Sequence, residues 1–229
     1  MTHHPSPDMP ELQQLQELLG VRLAGLDLRL DDRQIEQLVA LAALISRWGT
    51  RINLSGHRGV GEILERLIVD ALALGSAIQD LIGSMPARMV DLGSGAGIPG
   101  LPLAIAHPGT SVELVEARER RHHFQRAACR ELAILNAVPR LGRIEQLEPS
   151  VAPLVVAQAV APIREVTALA ARWLAAGGWL VVPAGPQPPH LDPGPGWAEY
   201  GSRPYAIPGS AIARSIWFGR RSLEVGESP

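Results

Sequence analysis

Lysine is missing altogether: all 21 basic residues of this 229-residue chain are arginines. A bias in codon usage accounts for that more simply than selection for guanidinium chemistry. Cysteine is nearly missing too. The single copy, Cys129, excludes an intrachain disulfide and every cysteine-based metal framework, and it fits a reducing, cytoplasmic compartment. No apolar run approaches the ~18 residues of a membrane span; the longest, Leu38 to Ile45, reads as one face of a helix. Met1 to Pro10 is polar and proline-rich, lacks the apolar core of a signal peptide, and is expected to be a disordered tail. Excess charge is also lacking. A net charge of −2 offers nucleic acid no overall attraction, so any RNA binding has to come from a local patch.

What is present is ordinary for a folded soluble protein: 46% hydrophobic and 19% charged residues, enough for one large domain or one domain with a helical attachment. The first third reads as helix. From Asp31 an acidic start is followed by Ile35, Leu38, Val39, Ala42, Ile45 and Trp48 at helical spacing, and Gly61 to Gln79 repeats the pattern. A polar connection, Gly49 to Gly59, joins them. From Arg88 the pattern changes to short apolar runs bounded by Gly and Pro. Strands are expected at 88–92, 111–116, 154–160, 178–184 and 215–219, with helices at 101–106, 119–135 and 163–175 between them. Alternation of this kind implies right-handed crossovers and a mostly parallel sheet flanked by helices. Pro183 to Pro208 holds eight prolines and is expected to be an extended surface excursion before the last strand. The expected organisation is a helical segment, 11–80, packed on an α/β domain, 81–229.

The most informative segment is Val90-Asp91-Leu92-Gly93-Ser94-Gly95-Ala96-Gly97-Ile98-Pro99-Gly100. Glycines after a buried strand allow a sharp turn and close approach of the backbone to a ligand, and the next helix presents its N-terminus there. Glu116, about 20 residues on at the end of the next strand, can accept hydrogen bonds from ribose hydroxyls. Gly95, Gly97 and Gly100 spell a literal G-x-G-x-x-G. Its register is wrong for a dinucleotide, because Gly93 takes the place directly after the strand and Ile98 falls where the third glycine belongs. Asp91 would also set a negative charge beside a pyrophosphate. An acidic strand end suits a cofactor with an α-amino group and a sulfonium, which is S-adenosylmethionine. On this reading Gly93, Gly95, Gly97 and Glu116 belong to the cofactor site.

These residues resemble the ribosomal RNA small-subunit methyltransferase G family, also called the glucose-inhibited division protein B family. The resemblance runs from about Asp31 to Gly185. It takes in Arg47-Trp48, Asn53-Leu54-Ser55, Arg66 and Asp70, then the loop 91–102 with its Gly-Ile-Pro-Gly-Leu-Pro ending. Val115-Glu116, Arg120-Arg121, Phe124, Arg143-Ile144-Glu145 and Ala159-Val160-Ala161-Pro162 follow. The resemblance implies a Rossmann-like class I methyltransferase fold with an N-terminal helical extension. It implies methyl transfer to N7 of a guanine in 16S ribosomal RNA, in the decoding-region loop, with 16S RNA or the small ribosomal subunit as partner. Its cofactor contacts carry over to Gly93, Ile98, Ile144 with Glu145, and the position held by Gln158. The chain departs from the family's pattern at Gln158 (usually arginine), Leu67 (usually histidine) and Ala184-Gly185 (usually Lys-Gly).

Guanine N7 has an exposed lone pair and no proton, so no catalytic acid or base is expected and none is assigned. Catalysis rests on alignment, which can supply roughly 7–11 kcal/mol. For RNA the candidates are Arg118, Arg120, Arg121, His122, His123, Arg126 and Arg130 after the Glu116 strand, with Arg118, Arg121 or His122, Arg126 and Arg130 forming a stripe at helical spacing. The alternative is a solvated face paired with Glu119 and Glu131. Arg58, in the connection between helices, is a second RNA candidate. No metal is expected, since His122-His123 point apart on a helix and His3-His4 lie in a tail. Three other functions stay open: methyl transfer to another RNA position, to a small molecule, or cofactor binding without catalysis.

Overall fold

Two aspartates start the first two helices. The structure is a computed structural model that describes residues 8–26, 28–187 and 190–223. Asp8 caps α1 (Met9–Ala24) by accepting the Glu11 N–H, and Asp31 caps α2 (Asp32–Gly49) in a reciprocal box with Gln34. The polar tail expected over 1–10 therefore gives way to helix at Met9. Gln34 has a second role: its Nε2 donates to the Ile105 carbonyl at 2.7 Å, tying the start of α2 to the following domain. Leu38, Leu41 and Ile45 are fully buried, each contributing roughly 1.5–3 kcal/mol of hydrophobic stabilisation.

The second expected helix is broken into three. A short α3 (Val60–Ile63) runs into a π-helical turn, Leu64–Val69, and then α4 (Asp70–Ile82). Such wide turns cost hydrogen-bond geometry and occur frequently at functional sites.

The sheet has seven strands: β1 (Arg88–Leu92), β2 (Ser111–Glu116), β3 (Ala137–Leu141), β4 (Ala152–Ala157), β5 (Leu174–Ala184), β6 (Trp197–Tyr205) and β7 (Arg214–Arg221), in the order β3-β2-β1-β4-β5-β7-β6. The first five are parallel, and β7 and β6 add antiparallel. Helices α5 (Gly100–Ala106), α6 (Glu119–Glu131) and α7 (Ile163–Ala170) connect the parallel strands. Alternate residues of a strand serve opposite faces: Met89, Leu154 and Val156 join one core with α1, α2, α4 and α5, while Val90, Val155 and Trp173 form a second core. Burial on both faces is why these strands read as continuous apolar runs. This is the expected Rossmann-like α/β arrangement, with helices added before it.

Several expected boundaries move. The strand expected over 154–160 stops at Ala157, so Gln158 stands just beyond it. The helices expected to 135 and 175 stop at Glu131 and Ala170. Two strands were not foreseen. β3 is an edge strand carrying Pro139 and an exposed Val138. β6 occupies the end of the proline-rich stretch, where Pro204 is tolerated because β6 is also an edge. The expectation of an extended surface excursion over 183–208 is corrected by this strand, Trp197–Tyr205.

Candidate functional site

β1 and β4 lie side by side, and the chain leaves them toward opposite sides of the sheet. A crevice opens at their carboxyl ends, the usual ligand position in open α/β sheets. The glycine loop leaves β1 at that point and Gln158 follows β4.

Asp91 is fully buried at the end of β1. Its Oδ2 accepts the Gly100 N–H at 2.9 Å, and its Oδ1 has no hydrogen-bond partner among the described residues. Burial raises its carboxyl from 3.8 to about 7; the Gly100 N–H opposes the rise and the Glu116 carboxylate adds to it. A buried acceptor without a partner is costly, and a donor-bearing or cationic ligand at the β1 edge would relieve it. Glu116 holds the loop from the neighbouring strand. Its Oε2 accepts from Gly95 N at 2.9 Å and its Oε1 from Arg118 N at 2.7 Å. Each oxygen retains acceptor capacity for a ribose hydroxyl.

The loop glycines divide by what surrounds them. Gly95 has φ +58°, and a Cβ built on it would meet only ordinary contacts, with Arg121 Nη1 at 3.7 Å and the Gly93 carbonyl at 3.9 Å. Its left-handed backbone favours glycine, and no neighbour there is closer than ordinary contact. Gly93, at φ +69°, is closed in, since a Cβ there would lie 2.6 Å from Val160 Cγ2. Gly97 packs against Leu101, and Gly100 against Leu114 and the Asp91 carboxylate. Of these four glycines, Gly95 is thus the one at which an added side-chain carbon would meet only ordinary contacts.

Ile98 is half-buried beside the loop. Ile144 is buried in the second core with Val115 and Leu92, while the neighbouring Glu145 is exposed and its carbonyl accepts from Arg172 at 3.0 Å. Ile98 and Gln158 also line a cleft, partly open to solvent, with His57, Arg66, Leu67, Asp70, Tyr205 and Arg214. The π turn and the start of α4 supply Arg66, Leu67 and Asp70. Asp70 is buried with both oxygens taken: Oδ1 accepts from Tyr205 OH at 2.7 Å, and Oδ2 from Arg214 Nε at 3.0 Å.

The basic candidates separate into groups. Arg118, Arg120, Arg126 and Arg130 are exposed and make no ion pair among the described residues. The acidic partners proposed for them go elsewhere: Glu131 pairs with Arg47 at 2.8 Å and Glu119 with His123 at 3.8 Å. His122 does not belong to the stripe. It is buried, and burial lowers its pKa. Arg121 stands beside Gly95 and donates to the Asn53 carbonyl at 3.2 Å, bridging the loop to the α2–α3 connection. Arg58 donates through its guanidinium to the Gly49 carbonyl at the end of α2, a capping contact, while its neighbour His57 lines the cleft. His3 and His4 lie outside the described residues.

Three participants were missed. Gln125 is fully buried on α6, and its Nε2 donates to Ser94 Oγ at 2.8 Å and the Gly95 carbonyl at 2.9 Å. Its signal was a polar residue on the buried face of a helix, beside Phe124 and Ala128. Tyr205 and Arg214 carried no signal, because their partner Asp70 lies more than a hundred residues earlier.

The family model for rRNA small subunit methyltransferase G matches residues 34–188. A ribosomal RNA small subunit methyltransferase G of Haemophilus influenzae is 37% identical over 127 residues, spanning 56% of this chain and 60% of that relative. One from Ralstonia nicotianae is 31% identical over 203 residues, 86% of this chain and 90% of the relative. Among solved structures, a point mutant of MtNAS matches with a TM-score of 0.54 at 16% identity, over 93% of this chain and 88% of that one, a likeness of fold alone.

Proposed function

This chain belongs to the rRNA small subunit methyltransferase G family, and on that premise we propose that it transfers a methyl group from S-adenosylmethionine to N7 of a guanine in 16S ribosomal RNA, in the decoding-region loop of the small subunit. One observation carries the cofactor half: a single glycine loop is held at Gly95 by the Glu116 carboxylate and at Gly100 by the buried Asp91, whose Oδ1 has no partner among the described residues. That spacing of acceptors around a glycine turn fits a ligand with a cationic amino acid end and a ribose. The cationic end also distinguishes it from a pyrophosphate, which the Asp91 carboxylate would repel.

In this reading Gly93, Gly95 and Gly97 shape the turn, and Glu116 accepts from the ribose. Ile98 packs near the transferable methyl. Ile144 and Glu145 flank the adenine, and Gln158 closes the methionine end. When bound, the cofactor supplies a methyl carbon made electrophilic by a sulfonium. The guanine N7 lone pair forms the new N–C bond as the C–S bond breaks, its electrons stay on sulfur, and no proton moves. The residues therefore need to align N7 with that carbon and exclude water rather than act as acid or base. The product base is cationic, and the Gln158 amide oxygen, which lines the cleft, is an acceptor that can face that charge.

Arg118, Arg120 and Arg126 supply phosphate contacts on the exposed face of α6, and Arg121 and Arg58 extend the basic surface toward the α2–α3 connection. The family's ribosomal substrate and the absence of any helix long and apolar enough to cross a membrane among the described residues agree with action in the cytoplasm. Calorimetry tests the cofactor half. S-adenosylhomocysteine should bind and NAD should not; a stronger signal from NAD overturns the reading.

A further inference from the structure

The cleft between the π turn, Ile98 and Gln158 has an imbalance of hydrogen-bonding capacity that points to one edge of one base. Its single carboxylate, Asp70, is consumed: Oδ1 takes the Tyr205 proton and Oδ2 takes Arg214 Nε and Nη2, both at 3.0 Å. Arg214 keeps Nη1 without a hydrogen-bond partner among the described residues, and Arg66 has neither a hydrogen bond nor an ion pair there. His57 is engaged at Nδ1 by Glu62, 2.7 Å away. Gln158 and the Tyr205 oxygen can still accept, but the charged groups with free capacity are both guanidinium donors. A ligand edge made of acceptors is therefore favoured, and an edge presenting N–H groups is repelled.

Purines differ in this respect beside N7. Guanine places the O6 acceptor there, and adenine places the N6 amino donor. Resting on the functional reading above, we propose that this cleft is the acceptor-base pocket and that Arg214 donates to O6 of the target guanine, leaving N7 free to face the methyl group across Ile98. Asp70 and Tyr205 are positioning residues. They hold the Arg214 fork in one orientation, and the π turn brings Asp70 to the place where it can do so. Adenine in the same pocket would set its amino group against the guanidinium, so selectivity for guanine arises without any contact to the base's 2-amino group.

The test is methyl transfer to unmodified small-subunit RNA carrying guanosine, inosine or 2-aminopurine riboside at the methylated position. Inosine keeps O6 and lacks the 2-amino group; 2-aminopurine lacks O6. The wild-type protein should methylate inosine within a few-fold of guanosine and 2-aminopurine roughly ten- to hundredfold more slowly, the scale of one charge-assisted hydrogen bond. Arg214→Gln and Asp70→Asn should slow guanosine by a similar factor, show no further loss with 2-aminopurine, and bind S-adenosylhomocysteine as before. Equal wild-type rates on 2-aminopurine and guanosine, or losses that add between base and variant, overturn the proposal. If a variant fails to fold, the wild-type comparison of the three bases decides alone. Methylation of no small-subunit RNA by the wild-type protein would instead overturn the functional reading on which the proposal rests.

Discussion

The Gly100 N–H donates to Asp91 Oδ2 at 2.9 Å, while the other oxygen of the same buried carboxyl has no partner among the described residues. The first helical turn of α5 thus holds half of an acid that stands at the edge where the cofactor is proposed to bind. The other half is buried without a partner among the described residues, and the group's titration reports on it.

Stability should depend on this acid in a defined direction. Its native pKa, about 7, lies above the ordinary 3.8. Between those values the native protein keeps a proton that the unfolded chain has lost, so this group's contribution falls as pH rises from about 4 to about 7 and is flat above. Asp91→Asn mimics the protonated form. Its stability relative to wild type should rise across that window, by roughly 4 kcal/mol at most. Thermal melts at pH 5 and pH 8 check this, and a constant difference between the two proteins contradicts it.

Cofactor binding should carry a proton signature from the same residue. A cationic amino acid end near Asp91 favours the carboxylate, so binding near pH 7 should release a fraction of a proton. Calorimetry in two buffers of different ionisation heat measures it directly. Buffer-independent heats for the wild-type protein, or an undiminished proton release from Asp91→Asn, would exclude this carboxyl as the source.

Gln125 should matter to cofactor binding although it lies beneath the loop. Gln125→Leu removes two hydrogen bonds and leaves the Gly95 carbonyl without its side-chain partner, a loss of about 1–3 kcal/mol. S-adenosylhomocysteine affinity should fall roughly tenfold, with a lower melting temperature. Unchanged affinity in a destabilised variant would confine Gln125 to the fold.

The RNA surface is best probed at Arg120 and Arg126, which are exposed and make no ion pair among the described residues, rather than at Arg121, which is tied to Asn53. Replacing both by Glu should weaken RNA binding and reduce the slope of log affinity against log salt by about two, one for each lost phosphate contact. Cofactor affinity should not move. An unaltered slope would return α6 to the status of a solvated face.

The glycine turn after β1 was legible in the sequence because its information is local: glycine spacing, one acidic strand end, and a second acid about 20 residues later. The parallel strands were legible because burial on both faces makes them apolar throughout. The edge strands β3 and β6 were not, since an edge tolerates Pro139, Pro204 and exposed side chains that a central strand excludes. The basic stripe was half legible. Helical spacing placed Arg118, Arg126 and Arg130 together, but spacing alone could not reveal that His122 turns inward or that Arg47 captures Glu131. The cleft was the least legible part, because the Asp70–Arg214–Tyr205 contacts join residues far apart in sequence and depend on a π turn that helical periodicity does not announce.

The most direct measurement is nucleotide-resolution mapping of 7-methylguanine in 16S ribosomal RNA from the parent strain and from one lacking this protein, followed by in vitro restoration with purified protein and S-adenosylmethionine. The account predicts one guanine, in the decoding-region loop, that loses its methyl group in the deletion strain and regains it in vitro. Identical 7-methylguanine maps in the two strains, with no methyl transfer to the RNA in vitro, would contradict it.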